Sequence, residues 1–450
     1  MSTKELRVED HTPTSFCEST SFSSMIGEEI SNKPTPKTSV QAWILTFTCV
    51  MINCFCAVMW MTASSTPAVM SLWMNISLTK LNWLSNASAI CNSVFSLPTA
   101  WFYERYGIKT SIILCGVVNA IGCWVRCFAI VVDDDKKYIV FMVGQIISSI
   151  AGPLVYNIAA KLVAVWFTPK DRGLANIILC MAVGPLLLPV ITPTIHDIPR
   201  MLFIVAGLAT AFTIPAIFLP GKPTAPPSVT STLDRTPFWQ GVKVVSRNFQ
   251  FWSVAVVAAS TIGMVFSVSV LIIEAITPYG YTDQEAGLCA SIVVISGCIG
   301  GGMTGYWLGK SPQHYMLIRT FTPLIIFTYV MFIFNLMPNS FPTVLTVCVL
   351  NGLFSYALFP VYLELASEIT YPVSESVGSC IIWSMCTTFM LAFSILIDVL
   401  KAGPDATPPH NMNLSMRVVV GIITAGNIPV LWMRGNLKRS QIDNQEKSIC

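Results

Sequence analysis

The sequence predicts an all-α membrane protein with twelve transmembrane helices in two six-helix bundles. Three observations predict it: too little charge for a water-facing globule, a series of apolar stretches of spanning length, and a weak internal repeat. Only 11% of the 450 residues are charged and 54% are hydrophobic. Soluble domains carry about 25% charged residues, so polar surface is too scarce to coat a globule of this size. The net charge is +3, without a Lys/Arg block. That composition argues against nucleic acid as a partner.

A bilayer core about 30 Å thick takes roughly 20 apolar residues per helix. Twelve stretches qualify: 42–63, 86–103, 110–130, 138–159, 174–195, 201–219, 250–272, 285–307, 317–336, 342–363, 378–400 and 416–433. Helix is required because lipid offers backbone groups no partner. The second stretch is polar at its start, and the eleventh contains Asp398. The expected organisation is a disordered tail 1–41, an N-terminal bundle 42–219, a linker 220–249, a C-terminal bundle 250–434 and a tail 435–450. Residues 1–41 are polar, with no apolar run of signal-peptide type. The first span then serves as the targeting signal.

Fifteen cysteines are present, and all but Cys17 and Cys450 fall in or beside apolar stretches. There they act as small hydrophobes rather than a disulfide scaffold. No Cys/His spacing of metal-site type occurs, and no cofactor is expected.

Lys/Arg asymmetry sets the orientation. With the N-terminus inside, the membrane-proximal tails and even loops hold 17 Lys/Arg, against 6 in the odd loops. Both termini are therefore expected in the cytoplasm, with the plasma membrane as the default location. The sequons Asn75-Ile-Ser and Asn413-Leu-Ser fall in loops placed outside, so Asn75 and Asn413 are glycosylation candidates. Asn86-Ala-Ser hugs the second span.

The polar stretch 220–249 divides the spans six and six. Thr99-Ala-Trp-Phe-Tyr-Glu-Arg105 after the second span matches Thr304-Gly-Tyr-Trp-Leu-Gly-Lys310 after the eighth, 205 residues on. Phe167-Thr-Pro169-Lys-Asp-Arg after the fourth matches Thr370-Tyr-Pro372-Val-Ser-Glu after the tenth, 203 on. Parallel halves of this kind resemble the major facilitator fold, which opens a central cavity to one side at a time. Ala100 to Lys109 also resembles that superfamily's G-x-x-x-D-R-x-G-R-R loop, with Ala for the first Gly and Glu for Asp. The resemblance implies a cytoplasmic latch using Glu104, Arg105 and Lys109.

A narrower resemblance lies in Glu364-Leu-Ala-Ser-Glu368-Ile-Thr-Tyr-Pro372-Val-Ser-Glu375, placed in the tenth loop. It is similar to the E-x-x-x-E-I-T-Y-P-x-x-E segment of the feline leukaemia virus subgroup C receptor-related transporters (solute carrier family 49). Asn82-Trp-Leu-Ser85, Tyr106-Gly-Ile-Lys109 and Val165-Trp-Phe-Thr-Pro-Lys170 resemble that family's D-W-L-S, R-G-L-R and V-W-F-G-P-K. The similarity runs over about 42–435. Its members are assigned choline and ethanolamine, or haem, as substrates. The resemblance implies an aromatic cation cage, its Trp at Trp60 and its Tyr at Phe266. These two are 206 apart, close to the repeat offset, so the duplicated halves would present them to one cavity. A desolvated cation over such rings gains roughly 2 kcal/mol or more. Packing against lipid is the other reading of Trp60. The family's polar residues on the fifth and eleventh spans fall on Met181, Ala182 and Thr387, a more apolar set, with Thr387 as the remaining polar wall. Glu364, Glu368 and Glu375 are expected as gate partners of Arg105, Lys109, Lys170 or Arg172.

Ionisable residues inside a bilayer are costly and mark function. Arg126, Glu274 and Asp398 all sit near span ends, with Arg126 placed to snorkel. Lacking a midplane titratable group, the chain reads as a facilitative carrier of a small solute, expected as a monomer in the lipid bilayer. The alternative is an efflux pump for drugs or secondary metabolites. Gly184-Pro185 is similar to the hinge of proton antiporters, without its flanking glycines. A membrane enzyme would need a clustered constellation of His, Asp, Glu or Ser near an interface, and the sequence offers none. Gly297, Gly301 and Gly305 form a small-residue stripe on the eighth span, for close packing or for sliding.

Overall fold

A computed structural model describes residues 38–168, 170–180, 188–192, 194–223, 236–311, 313–435 and 437. Most of both tails, residues 224–235 of the linker, Met181, Ala182 and Gly184-Pro185 lie outside the described residues. Among the described residues the regular structure is helix. The helices are α1 Val40–Ser65, α2 Pro67–Met74, α3 Leu78–Cys127, α4 Asp134–Ala151, α5 Pro153–Tyr156, α6 Ala159–Trp166, α7 Arg172–Cys180 and α8 Leu188–Ile191. After these come α9 Ile198–Phe218, α10 Phe238–Ser246, α11 Phe249–Ile276, α12 Asp283–Lys310, α13 His314–Asn335, α14 Phe341–Thr370, α15 Glu375–Val399 and α16 Asn413–Gly426.

Among the described residues ten helical segments are long and apolar enough to cross a membrane. One of them contains two spans. Gly107 has φ 80 and ψ 176 inside α3, a conformation that glycine adopts without steric cost. Gln145 and Ser148, one turn apart on α4, bond Ser88 before the break and Asn119 after it. In a straight helix those 31 residues would lie about 46 Å apart. The chain therefore doubles back at Gly107, giving the second and third spans. The fifth span is described as α7 and α8, flanking 181–187. Eleven spans and both pieces of a twelfth are thus accounted for.

Several boundaries differ from expectation. The second span starts at Leu78, capped by Ser77, whose hydroxyl accepts from Lys80 N. Its polar start is helical because Asn82, Ser85, Asn86 and Ser88 turn inward and are buried. Asn86 is therefore a poor sequon. The tenth span continues to Thr370. Glu364 and Glu368 thus lie on a helix, and only 371–374 remains as loop. Hydropathy ends at the first charge, whereas backbone hydrogen bonding continues wherever protein surrounds it. Arg126 does not snorkel. Only 1% exposed, it donates to Met59 O (2.7 Å) and Thr62 Oγ1 (3.2 Å) of α1 and lies 4.3 Å over the Phe141 ring.

Glycines set the close helix contacts. A β-carbon at Gly352 would come within 2.1 Å of Val293 O, and one at Gly300 within 2.0 Å of Leu353 O, joining α12 to α14. A β-carbon at Gly173 of the first half would meet Gly305 O of the second at 3.0 Å. Of the stripe, Gly297 packs on Tyr356 within its own half, and Gly305 lies at the contact between halves. Both chain ends lie on one face: Thr38 bonds Asp171 (2.5 Å), and Gln250 donates to Arg434 O (2.8 Å). We call this the terminal face and its opposite the distal face.

Candidate functional site

A cavity of about 170 Å³ lies between the halves. Six aromatic rings wall it: Trp60, Tyr156, Phe266, Tyr356, Phe359 and Trp383. Trp60 stands 6.5 Å from Phe266 and 5.7 Å from Tyr156, between ring centroids. Trp383 stacks on Tyr156 (5.3 Å) and on Phe266 (5.8 Å) and meets Phe359 edge-on at 4.7 Å. Trp60 and Phe266 therefore face one chamber from opposite halves. Asn53, Ser65, Ser269 and Ser291 supply polar wall. Among the described residues lining it, none is ionised near neutral pH.

Local sequence explains how the rings are presented. The fourth span breaks at Gly152-Pro153, so Tyr156 sits on a short separate helix. A β-carbon at Gly297 would strike the Tyr356 ring at 2.7 Å, so glycine lets that ring lie against α12. Pro360 cannot donate to the carbonyl four residues back, which loosens α14 where Tyr356 and Phe359 enter the cavity. Ser269 then holds the Tyr356 hydroxyl at 3.0 Å.

Tyr156, Tyr356, Phe359 and Trp383 were not singled out from the sequence. One signal was available: Tyr156 and Phe359 are 203 residues apart, the repeat offset already seen after the fourth and tenth spans. Thr387 is placed differently from the expectation. It is fully buried, receives a hydrogen bond from Asn92 Nδ2 (3.2 Å) and pairs with Ser93 (2.9 Å). It joins the second span to the eleventh, outside the cavity wall.

On the terminal face Glu104 is the centre of a polar cluster that joins the halves. Its carboxylate lies 2.7 Å from Lys161 of its own half. From the other half it accepts hydrogen bonds from Ser374 (2.5 Å) and Ser376 (3.0 Å). Arg105 lies over Trp101 and Tyr106 of its own helix, at 5.4 and 5.7 Å. Lys109 lies near Gly221. Glu364 stands 3.7 Å from His314 of its own half, and Glu368 and Glu375 are buried at the helix ends.

A second polar cluster joining the halves, on the distal face, has no sequence motif. Glu274 at the end of α11 accepts from Asn82 Nδ2 of the first half at 2.9 Å. It also pairs with Lys401 of its own half at 3.2 Å. Of the sequon residues, Asn75 is exposed in a left-handed conformation (φ 52) ending α2. Asn413 opens α16 and accepts from the Tyr279 hydroxyl at 2.8 Å.

This arrangement, two helical halves around a central chamber with polar contacts between them on each face, is that of a two-bundle membrane transporter. The family profile "Major Facilitator Superfamily" matches residues 48–396, and the chain belongs to that superfamily. Its relatives include "Solute carrier family 49 member A3" of Danio rerio, 27% identical over 87% of this chain and 84% of that protein. "Choline/ethanolamine transporter FLVCR2" of Rattus norvegicus is 26% identical over 80% of this chain and 69% of its own length. Among solved structures, a bacterial homologue of the iron transporter ferroportin, outward-facing, superposes with TM-score 0.65 at 10% identity, covering 88% of this chain and 99% of its own. The E. coli fucose:proton symporter FucP gives 0.64 at 12% identity, covering 86% of this chain and 98% of its own. At such identities the structural likeness shows the fold alone.

Proposed function

We propose that the chain is a facilitative carrier of a small organic cation of the choline or ethanolamine type. It exposes the cavity to each side in turn, with the terminal face in the cytoplasm of a plasma-membrane protein. The observation that carries this is a chamber walled by six rings with no fixed charge. Ring faces are electronegative and attract a cation, more so once water is removed. A desolvated cation over them gains about 2 kcal/mol, which is roughly thirtyfold in affinity. The chamber's 170 Å³ compares with the ~150 Å³ engineered cavity that holds benzene. That suits a compact ammonium head group better than a haem macrocycle. Choline and ethanolamine, the substrates by which the FLVCR2 relative is named, are of this class.

Facilitated movement follows from the same wall. Coupling to protons needs a titratable group that meets both sides in turn. No Asp, Glu, His, Lys or Arg lines the chamber among the described residues, and residues 181–187 read Met-Ala-Val-Gly-Pro-Leu-Leu. Asn75 and Asn413 remain the proposed glycan sites on the distal face.

The test is uptake of radiolabelled choline, ethanolamine, haem and lipophilic drugs into vesicles holding the purified protein. Choline-type cations are expected to enter, with Trp60→Ala lowering their uptake efficiency tenfold or more and Trp60→Phe retaining most of it. Uptake no faster than in empty vesicles, or unchanged in Trp60→Ala, would refute the cage. Flux that collapses with the proton gradient would point to the efflux-pump reading instead.

A further inference from the structure

Among the described residues of the linker is α10, lying on the terminal face against helix ends of both halves. Gly241 and Val245 form its buried side. A β-carbon at Gly241 would come within 2.8 Å of Val373 Cγ1. Val373 is itself buried and directly precedes Ser374, which donates to Glu104 in the latch. One side of α10 therefore rests on the loop that closes this face.

The other side is exposed. Trp239, Lys243 and Arg247 recur at four-residue steps, so they share one stripe. Trp239 is 73% exposed, and Phe249, where the seventh span begins, is 83% exposed. The two helices are tied together: the Trp252 indole donates to Ser246 O at 2.8 Å. The stripe is thus held at the level where a span leaves the hydrocarbon. From Thr236 to Trp252 the chain carries Lys243 and Arg247 and no Asp or Glu. Aromatic rings flanked by cations at that depth suit a negatively charged headgroup layer.

We propose that α10 is a lipid-responsive strap. Its Trp239–Lys243–Arg247 stripe binds anionic phospholipid headgroups, and its Gly241–Val373 contact passes that binding to the Glu104 latch. Lipid that binds α10 in this position favours the latched state by linkage. The inference rests on the membrane placement of the chain and not on the identity of its substrate.

The experiment uses the full chain in nanodiscs of phosphatidylcholine alone or mixed with phosphatidylserine. Hydrogen exchange of the segment 371–380 reads the latch directly. Exchange there is expected to slow several-fold with phosphatidylserine, and the effect is expected to weaken as salt screens the contact. Lys243→Gln/Arg247→Gln should abolish the response while leaving exchange in phosphatidylcholine unchanged. Gly241→Leu, which lifts α10 off Val373, should keep lipid binding by native mass spectrometry but lose the slowing. Equal exchange in both lipids would overturn the proposal. So would a double variant that responds as the wild type does.

Discussion

The two polar clusters that join the halves, proposed here as latches, are built from opposite parts. On the terminal face the carboxylate belongs to the first half and the second half offers two hydroxyls. On the distal face the carboxylate belongs to the second half and the first half offers an amide. In each, the cation comes from the carboxylate's own half: Lys161 for Glu104 and Lys401 for Glu274. What crosses between halves is a neutral donor. Opening at these two contacts therefore breaks hydrogen bonds to an ion, about 1.5–3 kcal/mol each, and leaves the Glu104–Lys161 and Glu274–Lys401 pairs intact. A full ion pair crossing the gate would strand a charge in a half-buried site, at about 3–5 kcal/mol. The difference between the latches is depth: the Glu274 side chain is 4% exposed and that of Glu104 is 31% exposed.

That difference can be sharpened by removing each cation. Lys401→Ala leaves Glu274 charged and buried, so a loss of about 3 kcal/mol is expected, read as a melting temperature several degrees lower. An unchanged melting temperature would mean that Glu274 is protonated or solvated. Next in size is the crossing contact. Ser374→Ala should favour opening of the terminal face by about 2 kcal/mol, and Asn82→Leu should favour opening of the distal face. Spin-label distances across each face should widen in these opposite senses. Widening of the same face in both variants would break the comparison. Lys161→Ala should cost least, about 1 kcal/mol, because Glu104 is partly solvated. Its ion pair is the shorter, at 2.7 Å against 3.2 Å. If Lys161→Ala proves the more damaging of the two, distance rather than burial sets the cost.

The spans were legible because lipid imposes a length and a composition on each, and the duplication was legible because two loop matches share an offset. Glu104 was legible as part of a loop motif. The cage was half legible. Trp60 and Phe266 follow from a resemblance and an offset, and Tyr156 and Phe359 repeat that offset. Trp383 and Tyr356 depend on how far α15 and α14 rotate about their axes, which hydropathy does not encode. The same blindness to rotation hid Arg126, whose position near a span end says nothing about its facing Phe141. It also hid the contact between Thr387 and Asn92. The distal latch joins residues 192 positions apart without a motif, so nothing in the linear order signals it.

Keeping these two ion pairs inside their own halves bears on voltage. A potential does work of about 2.3 kcal/mol per elementary charge per 100 mV on any charge carried across the membrane. In the proposed rocking cycle Lys161 travels with Glu104 and Lys401 with Glu274, so each of these pairs moves as a near-neutral unit. In that cycle the two pairs add little electrical work to that done on the cargo. A monovalent cation would be drawn toward the negative side at that full rate, and an uncharged one would be indifferent to the potential.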